Sequence, residues 1–482
     1  MLRVQTAPAV RAAMALLVVL TSCAEAPTVP TDVASPATTD AIASADRSKG
    51  KGKLRCDAGN GGITLPAGFC AVVAADLRDE EGNPARARHM AVTPSGDVFV
   101  AINSPGNDNP EFGIIGLRDS DGDGRAEERS QFSRGLGGSG IAWRQGSLYF
   151  GANDRVLRFR LPAGRLTPVG GSDVVVSGLP NTGDHISKTV VVNDVGRLLV
   201  NIGSASNACQ VQNRVAQSPG VFPCPELPIR AGVWMFSARR TNQTQADGER
   251  YATGLRNMVA LAINPRNGEL YGVQHGRDML FENWPQFFTV EEDAVLPSEE
   301  FIRIRRGSDN GWPYCYHDAV FEHKKVLAPE YGGDGQRVKS EKMANGARID
   351  CASFNRPLVT FGAHWAPNGL HFYSGNQFPK RFRGGAFVAF HGGFDRAPLP
   401  NEGFQVQFVP FGRNGRPSGA AETFADGFAG PGRPLPAAAR HRPVGVTEGP
   451  DGSLYISDDR GGRIWRVVFV GNRNDKDSDD RD

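Results

Sequence analysis

Charge of one sign is the first thing this sequence lacks. Its 482 residues carry 54 Lys+Arg against 52 Asp+Glu, a formal net charge of +2. Phosphate affinity needs a concentrated positive surface, so electrostatic nucleic-acid binding is excluded as a first reading. The apolar run Ala12 to Leu20 is too short to span a bilayer. No long amphipathic helical stretch appears. Cysteine is scarce, 7 in all, and no CxxC pair offers a zinc spacing. Glycine and proline are plentiful instead: 59 Gly and 33 Pro, 92 residues together. That share, about 19%, is too small for a low-complexity protein and heavy for a helical one. With 40% hydrophobic residues to bury, two readings stay open: several small domains, or one large turn-rich β domain.

The N-terminus reads as a targeting segment. Arg3 and Arg11 precede the apolar run, and Leu20-Thr21-Ser22-Cys23 resembles the bacterial lipobox. That resemblance implies a signal peptide over 1–22, a lipid anchor on Cys23, and an exported lipoprotein of the cell envelope, facing the periplasm or the outside. An ordinary signal peptide with an incidental cysteine is the alternative. Residues 23–53, rich in Ala, Pro, Thr, Ser and Asp, cannot bury a core and read as a disordered tether. The charged stretch 471–482 reads as a disordered tail. The six remaining cysteines suit an oxidising compartment. Sequence-local pairs close the smallest loops: Cys56–Cys70, Cys209–Cys224 and Cys315–Cys351.

Between these ends a unit recurs, an apolar strand, a Gly-centred turn and a second apolar strand. It begins at Met90-Ala-Val-Thr-Pro-Ser-Gly and returns at Ile141, Val190, Leu261, Leu370 and Val444, the last running Val444-Gly-Val-Thr-Glu-Gly-Pro-Asp-Gly-Ser-Leu-Tyr-Ile-Ser. The turn glycines supply the positive φ of a tight hairpin, and the flanks alternate as half-buried strands do. A further hairpin follows the last copy. The pattern predicts an all-β fold over 54–470, a six-bladed β-propeller of four-stranded antiparallel blades, with long insertions in the fourth and fifth intervals.

A propeller's site lies where loops converge on its central channel, so polar residues flanking the repeat strands are the candidates. His185, just before a strand, is placed to take a proton from a bound alcohol, or to serve as a loop histidine bonded to backbone. Gly254-Leu-Arg256-Asn257 offers a cationic fork and an amide. Gln274-His-Gly-Arg-Asp, with Glu299-Glu300 and Asp309-Asn-Gly-Trp-Pro-Tyr, offers oxygen ligands for Ca²⁺ or a solvated acidic loop. His391-Gly-Gly-Phe-Asp-Arg396-Ala-Pro and Arg440-His-Arg442-Pro add guanidinium groups suited to a polyanion. Asp119-Ser-Asp121-Gly-Asp123-Gly resembles a Ca²⁺ loop, although Ser130 stands where an EF-hand has Glu.

In their order these motifs resemble the soluble glucose/sorbosone dehydrogenases, six-bladed propellers dependent on pyrroloquinoline quinone (PQQ), with the pyranose dehydrogenase branch nearest. The resemblance runs from about Leu65 to Val470. It implies a PQQ-dependent dehydrogenase oxidising a sugar by hydride transfer and passing electrons to a respiratory acceptor. His185 is then the base and Arg256 the group that stabilises charge on a quinone oxygen. Lys188, Asn257, Arg396, Arg440 and Arg442 become cofactor contacts. The Gly276 and Arg277 carbonyls become ligands of a PQQ-bridging Ca²⁺, and Glu299 and Glu300 a pair at a structural one. Met258-Val259 and Asp395 depart from the family pattern. They motivate the alternative of a non-catalytic propeller that binds glycan or protein. A Ca²⁺-dependent lactonase would need several carboxylates at the centre, where these motifs supply mainly Arg and His.

Overall fold

Six antiparallel sheets radiate from a central channel in a computed structural model that describes residues 53–79, 81–103, 113–333, 346–432 and 434–471. The innermost strands are Ala87–Val92, Gly138–Arg144, Val190–Val192, Ala260–Ile263, Pro367–Phe372 and Pro443–Glu448. Each is the first strand of one copy of the predicted repeat. Adjacent innermost strands touch all the way round, so the ring is closed. Together they line a cavity of about 320 Å³ at one end of the channel.

Blades 1 to 5 follow chain order, and blade 6 does not. Its first three strands, Pro443–Glu448, Leu454–Asp458 and Arg463–Phe469, come from the C-terminal part, and its outer strand Phe69–Asp76 from the N-terminal part. Phe69 pairs with Phe469 and Asp76 with Arg463, with one bulge between. The four-stranded expectation holds for every blade. Blades 2 and 3 each gain a fifth, parallel strand, Gln243–Thr244 and Ser308–Asp309.

The apolar core is a ring of wedges between neighbouring blades. Alternate residues of each strand face the blade on either side, as the period of two requires. Phe387, Phe424, Leu454 and Trp465 fill the wedge between blades 5 and 6. Phe99, Ile141 and Phe150 fill the one between blades 1 and 2. Near the axis the wedge narrows until only glycine fits: a Cβ on Gly369 of blade 5 would lie 2.2 Å from the Val444 carbonyl oxygen of blade 6. The hairpin turn at Gly452 has φ 82°, the turn role read from the sequence.

The fourth interval holds the expected insertion, and an excursion at 203–231 adds one in the third, where none was expected. The insertions share a separate apolar core of Trp284, Trp312, Tyr314 and Tyr331 with the Cys209–Cys224 and Cys315–Cys351 disulfides. Cys56–Cys70 is the third bridge, so all three expected pairs form. The expected signal peptide, the Cys23 anchor and nearly all of the tether and tail lie outside the described residues.

Phe69 meets Phe378, Phe382, Phe424 and Phe469 edge-on, with ring centroids 4.8 to 5.3 Å away. Phe69→Ala is expected to cost about 3–5 kcal/mol in a urea-unfolding measurement, because it hollows out the wedge that the closing strand covers. A loss below about 1 kcal/mol would show that closure does not rest on this contact.

Candidate functional site

In an antiparallel blade the start of the innermost strand and the end of the second strand lie side by side. Residues leading into the first and leaving the second therefore meet at one mouth of the channel. His185 and Arg256 lead into blades 3 and 4, and Arg442 into blade 6. Ser204, His275 and Asp459 lie just beyond the second strands of blades 3, 4 and 6. Topology thus gathers groups from distant parts of the chain.

His185 is half-buried, and its Nδ1 lies 3.1 Å from the Ser204 carbonyl oxygen and 2.9 Å from Ser204 Oγ. Ser204 Oγ donates its own hydrogen to the Ser206 carbonyl at 2.6 Å. Both partners of Nδ1 are therefore acceptors, so Nδ1 carries the proton. In the neutral ring Nε2 is then a lone pair, with no hydrogen-bond partner among the described residues. Burial, then the positive charge of Arg256, hold the His185 pKa well below its ordinary value. Neutral and tautomerically fixed, His185 has the form a general base needs.

Arg256, 3% exposed, is held as a fork. Nε donates to the Asn207 carbonyl at 3.1 Å, Nη1 to the Gly276 carbonyl at 2.7 Å, and Nη2 to Asn207 Oδ1 and Asp278 Oδ2, both at 2.9 Å. A guanidinium has five N–H donors, so one on Nη1 has no partner among the described residues. Asn257 beside it is buried, and its Oδ1 also has none. Asp278 further accepts from Arg214 Nη2 at 2.9 Å and lies 3.9 Å from His364 Nδ1. Burial raises the Asp278 pKa, but Arg256, His364 and Arg214 outweigh it and hold the carboxyl ionised. Burial likewise lowers His364, yet Asp278 lifts it to about 9, so this imidazole is cationic at neutral pH.

On the far side of the channel Arg442 donates from Nε to the His391 carbonyl at 2.9 Å and from Nη2 to the Gly392 carbonyl at 2.6 Å. Asp459 takes His391 Nε2 on Oδ1 and Arg88 Nη1 on Oδ2, both at 2.6 Å. One contact crosses the channel itself. His89 of blade 1 reaches the Asn368 carbonyl of blade 5 at 2.6 Å, while His275 of blade 4 meets Asn368 Oδ1 at 3.1 Å.

A family model described as TrAA12-like matches residues 81–469, most of the chain. The chain belongs to the TrAA12-like family. It is 26% identical over 308 residues to a pyrroloquinoline quinone-dependent sugar dehydrogenase of Hypocrea jecorina, covering 60% of this chain and 64% of that protein. An uncharacterized protein of Borreliella burgdorferi is 28% identical over 274 residues, 57% of each chain. The chain thus spans less than two thirds of the length of these curated relatives. Two solved structures share its fold. The calcium structure of the Trichoderma reesei family AA12 enzyme has TM-score 0.63 at 19% identity, covering 85% of this chain and 97% of that one. The holo PQQ domain of pyranose dehydrogenase from Coprinopsis cinerea has TM-score 0.64 at 18% identity, covering 86% and 98%.

This TrAA12-like chain brings His185, Arg256, Asn257, Gly276 and Arg442 to the mouth and keeps other expected residues apart. Lys188 is fully buried, its Nζ donating to the Ile186 carbonyl at 2.5 Å, and burial lowers its pKa to about 7. Arg396 is spent on carbonyls of Ala294, Ala363 and Pro400 and on Glu402, tying the 392–402 loop to the insertions. The Arg440 side chain is exposed beside Gly430. Glu299 and Glu300, being consecutive in a strand, point to opposite faces and do not act as a pair. Glu299 accepts the Gly276 and Ala366 N–H groups, and Glu300 accepts Lys325 Nζ at 2.7 Å. The Arg277 side chain pairs with buried Glu330. Asp119, Asp121, Asp123 and Glu127 bring carboxylate oxygens within 4.8 Å of one another on blade 1, away from the mouth.

The departures find places too. Met258 is core, its amide donating to Asn201 Oδ1 at 3.2 Å. Asp395 accepts the Met279 amide at 2.8 Å, and burial raises its pKa against the pull of cationic His364. Ser204, Arg214, His364 and Arg88 were not among the expected site residues, and Asp278 was expected only within a Ca²⁺-ligand motif. Asp278 closes the Gln274-His-Gly-Arg-Asp motif, and Arg88 stands two residues before the first repeat; the others carry no local signal.

In a histidine-resolved NMR titration His364 is expected to change protonation near pH 9. Asp278→Asn should lower that midpoint, because burial disfavours the cation and only the Asp293 carbonyl and the Asp395 charge then remain to favour it. A midpoint that stays near 9 would remove Asp278 as its cause.

Proposed function

We propose that this protein is a PQQ-dependent sugar oxidoreductase in which His185 takes the proton of the sugar hydroxyl. The observation that carries this is the fixed neutral tautomer of His185, with Nε2 open beside the buried Arg256 fork. The Hypocrea relative, a PQQ-dependent sugar dehydrogenase, and the holo PQQ domain from Coprinopsis support the same cofactor.

The residues fit such a group. PQQ carries carboxylates and quinone oxygens, which are acceptors. The mouth offers the spare Nη1–H of Arg256, the amide of Asn257 and the guanidinium of Arg442 as donors. When bound, PQQ would supply the ortho-quinone, an acceptor for the hydride with its two electrons. His185 accepts the hydroxyl proton at Nε2 and passes it to solvent through the open mouth. Arg256, held rigid by four bonds, keeps positive charge where an oxygen gains negative charge without having to reorganise. Asn257 Oδ1 accepts from a sugar hydroxyl.

Ca²⁺ belongs to the same reading. The Gly276 carbonyl keeps a second lone pair after accepting from Arg256, and with the Arg277 carbonyl it offers hard oxygen ligands. The Asp119, Asp121, Asp123 loop offers a structural site. The envelope lipoprotein anchored at Cys23 and the respiratory electron acceptor are proposals that rest on the sequence.

Apo-protein titrated with PQQ and Ca²⁺ should show a spectral change on binding, and dye reduction across a panel of sugars should reveal turnover. His185→Ala should lower kcat by roughly 10²–10⁴-fold and leave PQQ affinity intact. Absence of PQQ binding by the wild-type protein would reject the cofactor. Undiminished turnover in the variant would reject the base.

A further inference from the structure

We propose that Arg88 is a cofactor-binding residue, and that Arg88 with Arg442, rather than Arg440 with Arg442, forms the carboxylate clamp on the far side of the channel. This rests on the PQQ reading above and names residues for one pole of that site.

The placement follows from the ring. In a six-bladed ring blade 3 stands opposite blade 6, and blade 4 opposite blade 1. His185 and Arg256 lead into blades 3 and 4, while Arg442 leads into blade 6 and Arg88 lies at the start of the innermost strand of blade 1, Ala87–Val92. The base and the Arg256 fork therefore face the Arg442 and Arg88 guanidinium groups across the axis. A flat polyanion lying over the channel would meet a cation at each side.

Charge and donor counting agree. Arg88 and Arg442 are two cations near one carboxylate, Asp459, which already accepts Arg88 and His391. Asp458 is spent on His441 and on backbone amides, including that of Arg442. Burial pushes His391 down to about 4, so it brings no charge. Arg460 also acts on Arg442, so three guanidinium groups stand against the two carboxylates of Asp458 and Asp459. Arg88 is mostly buried, with 11% of its side chain exposed, yet its Nε has no hydrogen-bond partner among the described residues. An unpaired buried guanidinium N–H costs free energy that an incoming carboxylate relieves. Burial lowers the Arg442 pKa to about 10, with the charge of Arg88 adding to it against the pull of Asp459. Arg440, by contrast, extends into solvent beside Gly430.

The test is PQQ affinity of the apo-protein, read by absorbance or fluorescence titration without substrate. Arg88→Gln and Arg442→Gln should each weaken PQQ binding on the order of ten- to a hundredfold. Arg440→Gln should stay within about twofold. Removing the Arg88 charge should also raise the His391 pKa in an NMR titration, a check that the variant is folded with its cluster intact. If Arg88→Gln does not fold, Arg88→Lys carries the test. It keeps a cation for Asp459 but has no Nε–H, and a several-fold loss is expected. Wild-type affinity in a folded Arg88 variant, or a larger loss in Arg440→Gln than in Arg88→Gln, overturns the proposal. Wild-type protein that binds no PQQ at all defeats the cofactor reading itself, a result distinct from wild-type binding unaffected by Arg88.

Discussion

Closure of the ring is the constraint on which the rest of this molecule depends. Six twisted sheets can bury both faces only if each finds a neighbour on either side, and an open arc would leave two blade faces in water. The chain meets this by giving blade 6 three strands from its C-terminal part and one, Phe69–Asp76, from its N-terminal part. Backbone hydrogen bonds between residues almost 400 positions apart thus fasten the circle. The phenylalanine cluster around Phe69 then makes the join a packed core as well as a ladder.

Once the ring closes, the site follows from register. Every blade delivers the start of its innermost strand and the end of its second strand to the same mouth. Residues scattered from Arg88 to Asp459 become neighbours there. The insertions of blades 3 and 4 break the sixfold symmetry. Their disulfide-pinned core holds Asn207 against Arg256, with Trp312 Nε1 donating to the Asn207 carbonyl at 3.0 Å. Asp278 then serves as the counter-charge of Arg256, Arg214 and His364, which lets a buried arginine stay in place with a donor to spare. The near-neutral net charge thus conceals a local concentration of guanidinium groups around one opening.

Fold and site were legible to different degrees. The six repeats marked all six innermost strands, because hairpin turns and half-buried strands are local patterns that survive insertion. The three disulfides were legible because short loops close at the least entropic cost. His185 and Arg256 stand directly before repeat strands, so their placement at the mouth was within reach of the repeat itself. Lys188, three residues beyond His185, was not: it is fully buried, and its Nζ is taken up by the Ile186 carbonyl of its own segment. Arg396 and Arg440 read as cofactor ligands because guanidinium groups look alike in sequence. One is consumed by two carbonyls from distant loops and two partners in its own loop, and the other faces solvent.

The sequence by itself determined the architecture and the family motifs and favoured the local pairing of its cysteines, since each depends on neighbours in the chain or on a repeated pattern. Only the tertiary structure decided which charges are spent and which are free. A guanidinium or imidazole is defined chemically by the acceptors around it. Ser204 sets the tautomer of His185, Asp278 sets the charge of His364, and Asp459 leaves Arg88 with an unused donor. Those partners come from loops that meet only when the ring is closed. Composition put 54 basic residues against 52 acidic ones. The fold alone brought Arg88, Arg256 and Arg442 to one mouth of the channel.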